Sequence, residues 1–520
     1  MSNAERVIYI EEPKLRVGHS QRCEYVKDGL FAFGPLKALP GNSALRFGVI
    51  GTAQAHGRFD RWAEKVRHGI AGDEGKAHRM SWPGFSAVFE SEWPEVPLAR
   101  ITIDGQKVLE AIRRSNRREA VYEAVGIFES AILRHLERDE LKPDFWFVVI
   151  DEEVWKLGRP EQTVATAFRT DTKLPMSTKA ANKALEGGNR MLFPEWQADA
   201  ERTLAVEGYE INFHNQLKAR LIAHQVVVQI IRETTITPED FVDGRGNPKR
   251  RVDDAATIAW NICTTAFFKA QGRPWQLDGV RPGVCYVGLV FKQLPQSGAE
   301  ANACCGAQMF LDSGDGVVFK GVEGNWYESE SKEFHLSEDK AFDLMRLVLE
   351  NYTQAYGAPP TELFIHGQTR FNDAEWRGFQ KAVPSTTALS GIRIRRSMDS
   401  RLYLADGATP VLRGVGLVLS PNKGLLWSRG YVPRLQTYPG WEVPVPIEVE
   451  ISKGVASIDE VMTDVFGLTK LNYNACIFGD GMPVTLRFAH AVGEILTSIP
   501  RNNDRTRQDS YRPLPFRFYI

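Results

Sequence analysis

Long apolar runs are missing from this 520-residue chain: no stretch of about 18 uninterrupted apolar residues occurs, so no membrane span is expected. The opening, MSNAERVIYIEEPK, has no basic region followed by an apolar core and does not read as a signal peptide. The six cysteines (Cys23, Cys263, Cys285, Cys304, Cys305, Cys476) form no CxxC pairs and have no histidines at metal-ligand spacing. Adjacent Cys304 and Cys305 read as small buried residues, and the reduced cytoplasm is the expected compartment. Charge of one sign is lacking too: 64 basic residues face 65 acidic ones, a net charge of −1. Any polyanion would therefore have to be met by local clusters. There is no internal repeat, no low-complexity tract, no P-loop, no GxSxG, no HExxH and no GxGxxG after a strand.

What is present is ordinary soluble globular composition, at a length that implies more than one domain. From Ala44 onward, apolar strands alternate with helical patterns. ALRFGVIG, LARITID and DFWFVVI read as strands, the last followed by a polar loop; GRFDRWAEKVRHGI and REAVYEAVGIFESAILRHLERDE read as amphipathic helices. Such alternation predicts a parallel sheet covered by helices, with ligands at the carboxyl ends of its strands. Beyond Pro274 to Pro282 the pattern changes. VCYVGLVFK, AQMFLDSG and GVVFKGV read as consecutive strands, followed by helix, strand and helix (SEDKAFDLMRLVLENYTQAYG, TELFIHG, NDAEWRGFQKAV) and a strand-rich stretch ending in the helix FAHAVGEILTSI. The fold expected is α/β: a Rossmann-like domain over 44–277 after an N-terminal segment 1–43, then an RNase H-like domain over 278–520.

One constellation points to chemistry. In EINFHNQLKARLIAHQVVVQIIRETT, His214 and Lys218 are four apart and share a helix face. The β-branched QVVVQII that follows reads as a buried strand carrying Gln229, and Lys269 closes the amphipathic TIAWNICTTAFFKAQG. Singly, a helix lysine is a solvated charge and a lone histidine a satisfied residue. Together, on successive elements of one unit, the four suit an anion such as a terminal phosphate. Two basic runs also stand out: Lys249-Arg250-Arg251, and Arg393, Arg395, Arg396 and Arg401 in GIRIRRSMDSR. Arg393 and Arg395 alternate with Ile392 and Ile394, so they project from one strand face; they read either as nucleic-acid backbone contacts or as a solvated edge strand.

These residues, taken in order, resemble the prokaryotic Argonautes, specifically the short ones built of MID and PIWI domains alone. EEPKLRVG and GLFAFGPL (Glu12, Pro13, Gly29, Leu30, Gly34, Pro35) resemble the family's opening signature, and SWPGF (Trp82 to Phe85) a motif of MID. His214, Lys218, Gln229 and Lys269 match its pocket for a guide 5′ end, and WNICTTAFFKAQGRPW its MID-to-PIWI junction. FIHGQTRFNDAEWRGF, LLWSRGYVPRLQTYPGWEVPVPIEVEI and LNYNACIFGDGMPVTLRFAHAVGEI resemble successive PIWI segments, so the likeness covers essentially the whole chain. It implies a MID domain over 44–277 and a PIWI domain over 278–520. It further implies a Mg²⁺ ion bridging guide phosphates to the terminal carboxylate, here that of Ile520 at the end of PLPFRFYI.

The resemblance also exposes a gap. Active PIWI domains need clustered carboxylates for two-metal cleavage. The matching positions are Val290, in YVGLVFK, and Gln368, in FIHGQTRF, with only His490 a permitted family choice; neither strand holds a carboxylate. Asp312, Asp315, Asp373 and Glu375 lie nearby, but Asp373 and Glu375 suit the first turn of the following helix. The resemblance thus implies a chain without slicing activity. Such a chain binds a guide RNA, pairs it with a single-stranded DNA target and activates an APAZ-domain partner fused to a TIR, Sir2-type or nuclease effector in prokaryotic immunity, with higher oligomers possible on activation. The alternatives are a metal-dependent, guide-directed nuclease using displaced carboxylates and a stand-alone, binding-only Argonaute.

Overall fold

The computed structural model describes residues 5–42, 44–73, 75–162, 164, 169–170, 174, 176–177, 179–181, 183, 194–293, 302–310, 316–325, 327–328, 333–405, 407, 409–438, 443–498 and 513–520. Among these, no helix is long and apolar enough to cross a membrane.

The first strand, β1 (Arg6–Tyr9), joins a sheet built otherwise from the second half of the chain. The first half forms a four-stranded parallel sheet of β2 (Phe47–Gly51), β3 (Ala99–Thr102), β4 (Phe145–Ile150) and β5 (Val228–Arg232), in the order β3-β2-β4-β5. β2 and β4 are wholly buried, which is why they read as continuous apolar runs. Helices α1 (Ala53–His68), α2 (Arg117–Arg138), α3 (Phe213–Ile222) and α4 (Ala255–Lys269) accompany it, giving the Rossmann-like unit. Local capping starts each: Thr52, Asn116, Asn212 and Asp254 accept backbone N–H groups of the first turns. The polar loop expected after DFWFVVI is instead a short helix, Glu152–Leu157, because Asp151 caps it by accepting from the Val154 N–H.

The second half supplies β6 (Val284–Gln293), β7 (Asn302–Phe310), β8 (Gly316–Asn325), β9 (Glu362–Gly367), β10 (Ala388–Arg396), β11 (Val415–Ser420), β12 (Lys423–Leu426), β13 (Ile447–Lys453) and β14 (Leu514–Pro515). With β1 they make a ten-stranded mixed sheet ordered β1-β11-β12-β13-β10-β9-β6-β7-β8-β14. The β6-β7-β8 meander is antiparallel, whereas β6, β9 and β10 run parallel, the RNase H-like arrangement. Helices α5 (Glu338–Tyr356), α6 (Asp373–Ala382), α7 (Ile458–Leu468) and α8 (Ala489–Thr497) complete this half.

One core joins both halves: Phe47, Trp62 and Phe147 of the first belong to the same apolar cluster as Val449, Phe466 and Ile520 of the second. A small sheet of Leu15–Arg16, Arg22–Cys23 and Gln276–Leu277 ties the N-terminal segment to the junction. The structure also corrects the edge-strand reading of GIRIRR. β10 is interior, its backbone paired on both sides by β9 and β13, and its Ile392 and Ile394 are buried in the core that packs on the sheet.

Candidate functional site

Helix α3 presents two different faces. On one, Arg220 pairs with Glu129, donates to the Tyr122 carbonyl at 3.1 Å and lies 4.6 Å over the Tyr122 ring, fastening α3 to α2. On the other, Lys218 turns inward and is only 4 % exposed, unusual for a lysine. Its Nζ donates to the Tyr519 carbonyl at 3.0 Å and to the Ile520 oxygen at 2.8 Å.

Lys269 ends α4 and is fully buried. Its Nζ donates to the same Ile520 oxygen at 2.5 Å and to the Val228 carbonyl at 2.7 Å. The tail reaches them because β14 pairs with β8 and Phe516 wedges edge-on against Phe310 and Phe488, leaving Tyr519 and Ile520 buried.

The structure thus joins Lys218, Lys269 and Ile520 by direct bonds. Gln229 lies beside Val228, and its Oε1 is buried without a hydrogen-bond partner. His214 bonds neither lysine; its Nδ1 meets Asn215 Oδ1 at 3.1 Å, and Asn215 Nδ2 donates to Glu494 of α8 at 3.1 Å. Burial, with Lys218 close by, pushes His214 down to about 3, so at neutral pH it is an uncharged imidazole. Burial likewise lowers Lys218 to about 7, and burial followed by the neighbouring Lys218 charge lowers Lys269 well below its ordinary value. Two lysines side by side out of water disfavour their charged forms, and an anion bound between them would restore both charges.

The site does not lie at the carboxyl ends of the parallel strands, as the alternation predicted. Gln229 is the second residue of β5. The reason is helix polarity: a helix crossing back over a parallel sheet runs antiparallel to its strand, so the last residue of α4, Lys269, returns to the start of β5.

The donor set fits an anion. The Ile520 oxygen already accepts from two lysines, whereas Mg²⁺ requires near-octahedral oxygen coordination that these side chains do not provide. A Mg²⁺ ion fits here only where the anion itself brings oxygens.

Around the positions matched to a cleavage centre, Val290 pairs with Gly306 inside β6, and its side chain lies outside the described residues, as does that of His490 in α8. Gln368 follows β9, its carbonyl accepting from Arg393 Nε at 3.4 Å. Asp312 and Asp315 lie outside the described residues, and so do the side chains of Cys304 and Cys305. Asp373 and Glu375 stand in the first turn of α6. Asp373 pairs with Lys453 at 2.6 Å, while Glu375 is buried and accepts from the Leu336 N–H at 3.2 Å. Among the described residues no group of three or more His, Cys, Asp or Glu is placed to hold a metal ion.

Arg393 and Arg395 share one face of β10, but each meets a glutamate of β13: Arg393 reaches Glu450 at 3.1 Å and Arg395 reaches Glu448 at 2.9 Å. Arg370 and Lys423 join the same two carboxylates, at 2.8 and 3.0 Å. Arg396 is exposed at the end of β10, and Arg401 donates to the carbonyls of Met398 and Ser400.

Sequence reading missed two features. His366 on β9 is buried, bonds Thr485 Oγ1 at 2.9 Å and is pushed down to about 3 by burial. Glu12 ties Arg413 and Lys470 together in a buried ion network, with contacts of 3.0 and 2.7 Å. Only tertiary contact reveals either, since their partners are remote in sequence.

No family model matches the chain, and no curated protein matches it in sequence. Its fold, however, is that of solved Argonaute structures. Clostridium butyricum Argonaute bound to a guide DNA and a 19-mer target DNA superposes with a TM-score of 0.57 at 13 % identity, over 96 % of this chain and 54 % of that one. Drosophila Piwi gives 0.56 at 13 % identity over 99 % and 56 %, and Aa-Ago with externally bound siRNA 0.55 at 11 % over 99 % and 56 %. The chain therefore spans about half the length of the structures it matches.

Proposed function

We propose that this chain is the MID–PIWI core of an Argonaute that anchors the 5′-phosphate of a short guide, RNA by the family resemblance, and presents it for pairing with a single-stranded DNA target. One observation carries the reading. Two buried lysines from the Rossmann-like half converge on the tail of the RNase H-like half, in a chain whose whole length follows the Argonaute fold. A terminal phosphate carries more charge than an internal diester, so paired ammonium groups select a strand end. The Ile520 oxygen that accepts from both lysines holds them in place, and the guide phosphate shares them on binding. His214, neutral and with its Nδ1–H given to Asn215, adds no charge, and Gln229 would meet the phosphate through its side-chain NH2, the Oε1 being an acceptor only. A Mg²⁺ ion, if it accompanies the guide, would be held by phosphate oxygens with the Ile520 oxygen nearby and would neutralise part of the phosphate charge.

We infer further that the chain senses targets without cutting them. The positions matched to the family's first two aspartates are Val290 and Gln368, and Asp373 and Glu375 are engaged in structural bonds. Catalysis then resides in an APAZ-domain effector partner, of TIR, Sir2 or nuclease type, that guide–target pairing switches on. The test uses purified chain, 5′-phosphorylated guide, Mg²⁺ or Mn²⁺ and a labelled complementary strand. Retention of an intact target is the expected result. Cleavage lost on substituting Asp373 or Glu375 sinks the non-slicing reading, and equal affinity for 5′-phosphate and 5′-hydroxyl guides sinks the anchoring one.

A further inference from the structure

The far end of the ten-stranded sheet is left open on the side of β1, where no strand pairs with its outer edge among the described residues. Natural sheets guard such edges with inward charges, proline or bulges. This edge displays Val7 and Tyr9 instead, 68 % and 60 % exposed.

The register sorts the two faces. Ile8, opposite Gly416, packs toward Met462 of α7 and belongs to the main core. On the other face, Val7 stands opposite Leu417 and Tyr9 opposite Val415. Leu417 and Val415 flank the small cluster of Val411, Leu425 and Trp427, against which Leu402 also packs. Beside Leu402, Tyr403 and Leu404 are exposed, at 71 % and 38 %. An open strand edge, with Val7 and Tyr9 exposed and Val415 and Leu417 half-buried, thus adjoins a small buried apolar cluster. The same row continues from Leu417 through Leu425 to Glu448 and Arg395, so this face runs directly into the charged ladder of β10 and β13.

We propose that β1 is a docking edge for an extended, basic-flanked strand of a second, different polypeptide, whose alternate apolar side chains cover Val7, Tyr9 and Leu417. Charge selects the occupant. Glu5 and Glu11 are exposed at either end of β1, and burial first, then the Glu12, Glu24 and Glu11 charges, raise the Tyr9 phenol. A second copy of the chain is the wrong partner. Of the antiparallel two-fold registers that keep Val7 and Tyr9 on one face, that centred on Ile8 sets Glu5 of each copy against Glu11 of the other, and those centred on Val7 or Tyr9 set Glu5 against Tyr9 or Glu11 against Val7; none brings a cation to the glutamates. Lysine or arginine at both ends of an added strand meets those carboxylates instead. This inference stands on the sheet edge alone and does not depend on the guide pocket.

The test uses the full chain with two fluorescent heptapeptides, Lys-Thr-Val-Thr-Val-Thr-Lys, whose lysines and valines share one face, and its Glu-flanked counterpart, read by anisotropy alongside sedimentation of the chain alone. The Lys-flanked peptide should bind at least about tenfold more tightly, and Tyr9→Lys and Val7→Lys should each weaken it by about tenfold. The thermal transition should not change, because both positions are exposed. No binding of the Lys-flanked peptide, or equal binding of the two, overturns the proposal. So does a concentration-dependent dimer of the chain that Tyr9→Lys abolishes.

Discussion

Lys218 and Lys269 donate to one and the same oxygen, that of Ile520, at 2.8 and 2.5 Å. Two helices of the first half are thereby clamped to the last residue of the second. A strand end bound there would be sensed by both halves at once.

Removing the pair should abolish end recognition. Lys218→Ala with Lys269→Ala is expected to erase most of the preference for 5′-phosphate over 5′-hydroxyl guides, each lost charge-assisted contact costing about 1.5–3 kcal/mol. Filter binding with the two guides measures it. Equal weakening of both would identify the lysines as general backbone contacts.

Anion binding should be linked to proton uptake. Burial holds Lys218 at about 7 against an ordinary 10.5, so between those values its amine in the free site is largely uncharged. A bound phosphate favours the ammonium and raises this value; binding then takes up protons, and affinity falls as pH rises above about 7. Titration calorimetry at pH 8 in buffers of different ionisation heat reads the uptake directly. A buffer-independent heat would contradict it.

The Glu12 network should be worth far more than a surface pair. Arg413 and Lys470 are buried, so Glu12→Ala leaves Lys470 without its carboxylate and Arg413 with only the nearby Asp480 charge, and should cost about 3–5 kcal/mol in denaturant unfolding. Adding Lys470→Met should recover part of the loss. By contrast, Asp373→Ala removes only an exposed pair with Lys453 and should leave the unfolding midpoint nearly unchanged.

Gly288 is a packing requirement of β6. A Cβ there would stand 2.0 Å from the Thr485 carbonyl oxygen, a backbone atom with little room to move. Gly288→Ala should destabilise the fold by at least about 1–3 kcal/mol, seen as an earlier thermal transition.

Sequence periodicity reached far into this protein. Strands such as FWFVVI and helices such as Arg117–Arg138 follow from apolar spacing and an N-cap, both local properties. His214 and Lys218 could be placed on one helix for the same reason. The four-residue spacing did not show that His214 turns to Asn215 while Lys218 reaches the tail, because neighbouring contacts decide a rotamer.

Chain polarity decided the site's position. Periodicity names strands and helices but does not show which end of a strand a distant side chain meets, and Lys269 meets the start of β5. Nor could it tell an edge strand from an interior one: GIRIRR is flanked by β9 and β13, and Glu448 and Glu450 partner Arg393 and Arg395 only once the sheet is assembled. The sequence by itself determined the elements, the two-part α/β order and the candidate cations. Tertiary structure decided what those cations face, because burial and charge pairing depend on residues hundreds of positions away. Their convergence on Ile520 is a property of the folded chain alone.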